Sequence, residues 1–495
     1  MTRFTRREGL LAGLFGSGAI GLRALATGLP AWYLMNPRRA TAQDLQCAIN
    51  ARTNLQYLIV STSSNGDPIN CNCPGTYDGA GTAVVHPPQE EVEKTTVQLG
   101  GASFGAALPW AASDVKSAAG NNTGQLKRMT QFGTDASGMA ATFLARTTFI
   151  HYRTGTTVHG DQPKVMKLLG DTTGGEMIVS AYAKHLSTCF TTVQAAPIAV
   201  GARGNSSELV SFGGRMLPSI SPTQLKQLLT GARGDALTAK GALRDLRDSS
   251  LTKLNDLAKR SASQVQKDFL DKLALGQTQV RQLADTLADT LNAISNDNVA
   301  GQAQAAAALI AANVTPVVTV HIGFGGDNHT DNNLQAEADQ HVSGIQGIQA
   351  IMDALAATKD ASGNALIDRV TFATMNVFGR NLNNISKLSS TTSPGGRDHY
   401  GNHNVMVIVG KNVKPSVIGG VTADSKGTLV ASGIDSVTGA SMASGGDIDA
   451  SKTQTSAART LGAALGIPDA VATNDYIAAA GGKVVTAALA NLPST

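Results

Sequence analysis

The stretch TPVVTVHIGFGGDNHTDNN, from Thr315 to Asn333, decides how this chain is read. Val317 to Ile322 is an apolar, β-branched run with the composition of a buried strand. It breaks at the glycine turn Gly323 to Gly326 and then releases Asp327, His329 and Asp331. A buried strand, a flexible turn and a cluster of acid and imidazole groups is how α/β enzymes present ligands at a sheet edge. A second cluster, Asp398, His399 and His403, follows, and five of the nine histidines fall between His321 and His403.

Outward from this stretch, strands and helices alternate. Leu334–Thr358 reads as a helix, Arg369–Met375 as a strand with the exit turn Asn376 to Arg380, and Val405–Val409 as a further strand. Upstream, Leu55–Val60, Phe143–Ile150 and Ala195–Val200 read as strands, with a helix around Gly175–Leu186. The first of these runs into a segment dense in turn formers, which places Asp67 and Asn70 just past its end. Residues 75–140 read as mixed loops and short helices, and a helix is expected near Ser451–Leu465. Alternation of this kind predicts a mostly parallel sheet covered by helices on both faces.

The middle differs. Ser221-Pro222-Thr223-Gln224 has the form of a capping box with proline at the first helical position. From there to Asn313 the composition is helical, with one apolar stripe at Val280, Leu283, Leu287, Leu291 and Ile294 and a rougher one from Leu243 to Leu257. No heptad persists long enough for a coiled coil. The expected organisation is an export signal over 1–42, the first part of an α/β domain over 43–220, a helical insert or layer over 221–313, and the second part of that domain over 314–495.

The signal reading comes from Arg6-Arg7 ahead of the apolar run Leu10–Leu22, with Ala40-Thr41-Ala42 as a cleavage site. It predicts a twin-arginine signal, recognition by the twin-arginine export machinery, and a periplasmic or secreted protein. The alternative, a membrane anchor using Leu25–Leu34 as well, meets an interruption at Arg23, and neither run reaches the ~20 residues of a span. Residues 1–42 carry a net charge of +5, so the formal +4 of the whole chain becomes −1 once they are removed. No case for nucleic-acid binding survives that subtraction. The four cysteines, Cys47, Cys71, Cys73 and Cys189, suit one or two disulfides, with Cys47 expected to pair with Cys71 or Cys73.

In an open parallel sheet, ligands collect beyond the carboxyl ends of the strands, which is where Asp67, His159, Asp327, His329 and Asn376 fall. Asp398, His399 and His403 precede a strand, so they join the others only if that strand runs antiparallel or its loop crosses the edge. Carboxylates and imidazoles converging from several loops form the ligand set of a divalent-metal hydrolase acting on phosphate or sulfate esters. Arg380 and Arg397 are candidate oxyanion clamps. Each such Asp or His also suits an Asx-turn or a solvated loop. His151, His185 and His341 read as structural or exposed.

The order of motifs resembles the domain-of-unknown-function 1501 family, exported bacterial proteins related to the alkaline phosphatase/sulfatase superfamily. Gly325-Gly326-Asp327-Asn328-His329 resembles its GGWDTH-like segment, Phe378-Gly379-Arg380 its S-E-F-G-R-T turn, and Gly396 to Gly401 its G-x-DHG segment. Leu58 to Asn70 resembles its first strand with a G-x-D-x-x-N exit, and Val158-His159 falls at its Ser-His. The resemblance runs from about Leu55 to Gly466 and is strongest from Val317 to Lys414. It implies an alkaline-phosphatase-like α/β fold and a divalent metal of the zinc, calcium or magnesium class. Asp67, Asp327, His329, Asp398 and His399 are the expected metal ligands, and Thr157, His159 and Arg380 the expected catalytic groups. The chain departs from the family at Val377, where a glutamate is usual, and at Val158, where a serine is usual. A non-catalytic exported binding or structural protein on the same scaffold is therefore the alternative expectation.

Overall fold

The computed structural model describes residues 54–76, 94–107, 110, 139–201, 210–230, 249–250, 288–331, 335–360, 363–382, 396–423, 429–478 and 482–490, with isolated positions between 253 and 267. The export signal lies outside these residues, as do Cys47 and most of both leucine stripes.

A seven-stranded sheet forms the centre. Its strands are β1 (Tyr57–Ser63), β2 (Thr147–Tyr152), β3 (Ile198–Ala199), β4 (Val317–Val320), β5 (Val370–Asn376), β8 (Asn404–Val409) and β9 (Ser416–Ile418). Between β5 and β8 the chain forms a separate antiparallel pair, β6 (Gly379–Leu382) and β7 (Arg397–Tyr400). The sheet order is β9-β2-β8-β5-β1-β4-β3. β1 pairs in parallel with β4 and β5, with Leu58 opposite both Val317 and Thr371. β8 runs against both its neighbours, with Ile408 opposite Ala373 and Val405 opposite His151. The sheet is therefore mostly parallel with one reversed strand, and the reversal puts the start of β8 at the carboxyl edge of the others.

The strands are apolar on both sides because both sides are covered. Tyr57 and Ile59 of β1 face one core, together with Phe372 and Val407 and with residues of α3 (Val299–Ala311) and α4 (Gln335–Ala357). Leu58 and Val60 face the other core, with Met375 and Ile408 and with α2 (Ile178–Phe190) and α5 (Thr453–Ala464). Burial of each such large aliphatic side chain contributes about 1.5–3 kcal/mol. α3 lies at the end of the stretch expected as an insert or layer, and it packs on the sheet as a layer. The capping box forms at the start of the helix Pro222–Thr230: Gln224 N–H donates to Ser221 Oγ at 3.3 Å and Ser221 N–H to Gln224 Oε1 at 3.4 Å.

Three local expectations change. The strand expected from Phe143 begins at Thr147, because Phe143 and Leu144 close a helical turn whose Phe143 carbonyl takes the Thr147 hydroxyl. Within 75–140, Lys94–Leu99 and Ala102–Ala107 pair as a hairpin. Cys71 and Cys73 are buried thiols outside any disulfide, so neither pairs with Cys47, and it is Cys189 that is disulfide-bonded. The short helix α1 (Ile69–Asn72) carries Cys71 inward, where its Sγ donates to the Arg380 carbonyl at 3.2 Å. Cys73 is anchored in the core beside Thr76.

Candidate metal centre

Four side chains converge at the carboxyl edge: His159, Asp327, His329 and His399, each offering a donor atom within 4.8 Å of the others. They arrive from three segments of the chain. His159 follows β2, Asp327 and His329 follow the glycine turn after β4, and His399 lies on β7 directly opposite Arg380. Gly325 and Gly326 adopt positive φ of 135° and 55°, and a Cβ on Gly325 would meet Pro68 at 2.6 Å. The turn that delivers Asp327 thus needs glycine there.

The donor atoms are close enough together for the group to hold one small cation. His329 Nε2 lies 2.8 Å from His399 Nε2 and 3.1 Å from Asp327 Oδ1. Asp327 Oδ1 lies 3.8 Å from His399 Nε2, and Asp327 Oδ2 lies 3.7 Å from His159 Nε2. Ligands bound tetrahedrally at ~2 Å from a zinc ion stand about 3.3 Å apart. The four distances lie on either side of that value, with both Asp327 oxygens used among them.

The far ring nitrogens are tied down. His159 Nδ1 donates to the Ser64 carbonyl at 2.7 Å, and His399 Nδ1 donates to the Thr157 carbonyl at 2.6 Å. A carbonyl only accepts, so these bonds fix the tautomer that turns the Nε2 lone pair toward the cluster. Asp398 Oδ1 stands 4.0 Å from His329 Nδ1. Phe378 packs against the rings of His399 and His159, at centroid distances of 4.5 and 5.1 Å. Gly66, with φ 68°, makes room for that ring, since a Cβ there would fall 1.9 Å from it.

The electrostatics suit metal ligation. Burial pushes the His399 imidazole below its usual range, and Arg380, His159 and His329 push the same way against the Thr157 bond. Partial burial works to raise Asp327, but the hydrogen bond and charge of Arg380, with His329 and His159, hold its carboxyl below the usual carboxylate range. Neutral imidazole and ionised carboxylate are the forms a metal takes.

Of the eight residues expected from sequence, the structure brings four into contact range as donors; one of them, His159, was expected as a catalytic group. Asp398 is largely exposed; its Oδ1 accepts the His399 backbone N–H at 2.8 Å and lies 4.0 Å from the His329 ring, outside hydrogen-bond range. Asp67 is fully buried and accepts the Gly326 N–H at 3.1 Å, which holds the glycine turn. Burial pushes its carboxyl up, against His321, Ser63 and Gly326, which favours the protonated acid. Thr157 touches the cluster through its carbonyl. Arg380 is fully buried: its guanidinium donates to the carbonyls of Gly66 and Asn65 and to Asp327 Oδ1 at 3.0 Å. Arg397, the second clamp candidate, is equally buried and makes a two-point ion pair with Glu337, both bonds 2.7 Å.

Two residues that hold this edge carried no sequence signal of their role. Glu337 gathers Arg397, Asn72 and Asn328 around one carboxylate. Asn70, noted in sequence for its place after β1 and as the end of the G-x-D-x-x-N exit, grips the backbone of Arg380. Their partners lie up to 333 positions away, so only the sheet topology makes them neighbours. No protein-family model matches the chain, and no curated protein shows significant similarity to it.

Proposed function

We propose that the chain holds one divalent ion of the zinc class on His159, Asp327, His329 and His399 and acts as a metal-dependent hydrolase of phosphate or sulfate esters. The observation that carries this reading is the donor geometry: four donor atoms from three segments of the chain converge within 4.8 Å of one another, with two rings locked from behind. An ion of this class supplies Lewis acidity, which activates water and neutralises charge developing on an anionic ester. The protein's own groups do the rest. Arg380 keeps Asp327 ionised, the Ser64 and Thr157 carbonyls orient two imidazoles, and the half-exposed mouth admits an ester carried on a small molecule or a polymer.

An alkaline-phosphatase-like ancestry fits the mostly parallel sheet with its one reversed strand and a site at the carboxyl edge. Export to the periplasm or beyond fits the twin-arginine pattern and the disulfide at Cys189, since such bonds persist in oxidising compartments. Among the described residues no helix is long and apolar enough to cross a membrane.

A second reading, a non-catalytic metal-binding or structural protein, is favoured by one observation. Arg380 spends its guanidinium on two carbonyls and Asp327 and is wholly buried, leaving no face for a substrate oxyanion. Aryl phosphate and aryl sulfate hydrolysis by the zinc-loaded chain decides between them. The hydrolase reading expects turnover that falls by at least ~100-fold in His399→Ala, in the range for loss of a positioned catalytic group. A zinc-loaded chain inert toward both esters would leave the binding reading.

A further inference from the structure

Arg380 is gripped along its backbone by a side chain. Asn70 Oδ1 accepts the Arg380 N–H at 2.8 Å, and Asn70 Nδ2 donates to the Arg380 carbonyl at 2.9 Å. One amide that engages both backbone groups of one residue reproduces the two-bond pairing of antiparallel strands. Gly379 permits this approach: a Cβ there would stand 2.1 Å from the His403 carbonyl and 2.7 Å from Asn70 Oδ1.

The direction of the Asn70 amide is set by a buried histidine pair. The Pro74 carbonyl only accepts, so His151 Nε2 donates to it at 3.2 Å. His151 Nδ1 is then an acceptor, and His403 Nε2 donates to it at 2.9 Å. His403 Nδ1 in turn accepts from Asn70 Nδ2 at 3.4 Å. Each proton has one place, and flipping the amide would set its oxygen against a lone pair. Asn70, His151 and His403 are all fully buried. Burial pushes His151 down to about 4, against the Pro74 bond, so the ring stays neutral at ordinary pH.

We propose that Asn70 is a positioning residue for the metal centre: backed by His403 and His151, it fixes Arg380, and through Arg380 the carboxylate of Asp327. The guanidinium makes that contact directly, donating from Nη2 to Asp327 Oδ1 at 3.0 Å. The consequence for metal affinity rests on the metal-centre reading; the grip on Arg380 does not.

The test uses the full chain with cobalt(II) as the bound probe, together with hydrogen exchange at the Arg380 amide. Asn70→Ala is expected to speed that exchange, weaken cobalt binding by roughly 10-fold or more, and alter the visible cobalt spectrum. Asn412→Ala is the control. Asn412 is also buried and also donates to two carbonyls, those of Asn54 and Ala464, but these lie away from the metal edge. It is expected to leave cobalt affinity, spectrum and Arg380 exchange unchanged. If Asn70→Ala does not fold, His403→Leu, which keeps the grip and removes its support, is expected to shift the cobalt spectrum and speed the exchange. Unchanged affinity and spectrum in Asn70→Ala, or an equal loss in Asn412→Ala, overturns the proposal. A wild-type chain that binds no cobalt sinks the metal-centre reading instead. Arg380 exchange then decides the positioning claim alone, and unchanged exchange in Asn70→Ala refutes it.

Discussion

His341 sits on the sheet-facing side of α4 between Trp110 and Phe324, with neither ring nitrogen hydrogen-bonded among the described residues. Burial pushes its pKa down to about 4, with Glu337 opposing and Arg397 adding, and burial brings His151 to about 4 as well. Unfolding would return both rings to about 6.5. The unfolded chain therefore takes up protons first as the pH falls. The stability these two groups contribute is fully present above about 6.5 and is lost as the pH falls toward about 4, on the order of 3 kcal/mol per ring. His341→Phe fills the same aromatic pocket without a titrating nitrogen. Denaturant titrations at pH about 7 and about 4.5 are expected to show a smaller acid loss in this variant than in the wild type. Equal losses would refute this account of the ring. At this scale the sequence was uneven as a guide. Asp327 and His329 were legible because a glycine turn after a β-branched strand marks a sheet edge. His159 was legible as a site residue but not as a member of the donor cluster, since its partners come from other segments. Asn70 and Glu337 act through hydrogen bonds to distant groups, which leave no spacing pattern along the chain.

The β6–β7 pair is the element on which the site depends. It faces Arg380 with His399 across the ladder, and it is pinned at its far end by the buried Arg397–Glu337 ion pair. Glu337 also receives Asn72 at 3.1 Å and Asn328 at 2.7 Å, so α1, β7, α4 and the loop carrying His329 meet on one carboxylate. Breaking a buried pair leaves an uncompensated charge, and Glu337→Gln is expected to destabilise the chain by about 3–5 kcal/mol. A shift of less than ~1 kcal/mol in chemical denaturation would mean that water or another group replaces the pair. Gly396, entering β7 at φ 86°, faces the His329 carbonyl at 2.2 Å from where a Cβ would lie. Gly396→Ala is therefore expected to cost at least ~1 kcal/mol of backbone strain and to displace His329. Reduced stability together with weakened zinc binding supports this; unchanged zinc affinity would contradict it. The pair itself was not legible, because its four-residue strands carry charged and polar residues that read as a loop.

For the whole molecule, the two-sided sheet was legible from strands apolar on both faces and from the helices between them. The direction of β8 was not: its apolar run fits either orientation, and only its pairing with β2 and β5 sets it antiparallel. That one reversal brings His399 and His403 to the edge already holding His159, Asp327 and His329, and the candidate site exists because of it. The pairing of cysteines was misjudged because α1 turns Cys71 and Cys73 into the interior, away from any exposed partner. The claim that the edge is a metal centre is tested most directly by counting zinc. Purified chain, loaded and then dialysed, is expected to retain one zinc per molecule by elemental analysis, and the His329→Ala/His399→Ala double variant to retain none. A wild-type chain that emerges free of zinc, or a double variant that binds as much as the wild type, would contradict it.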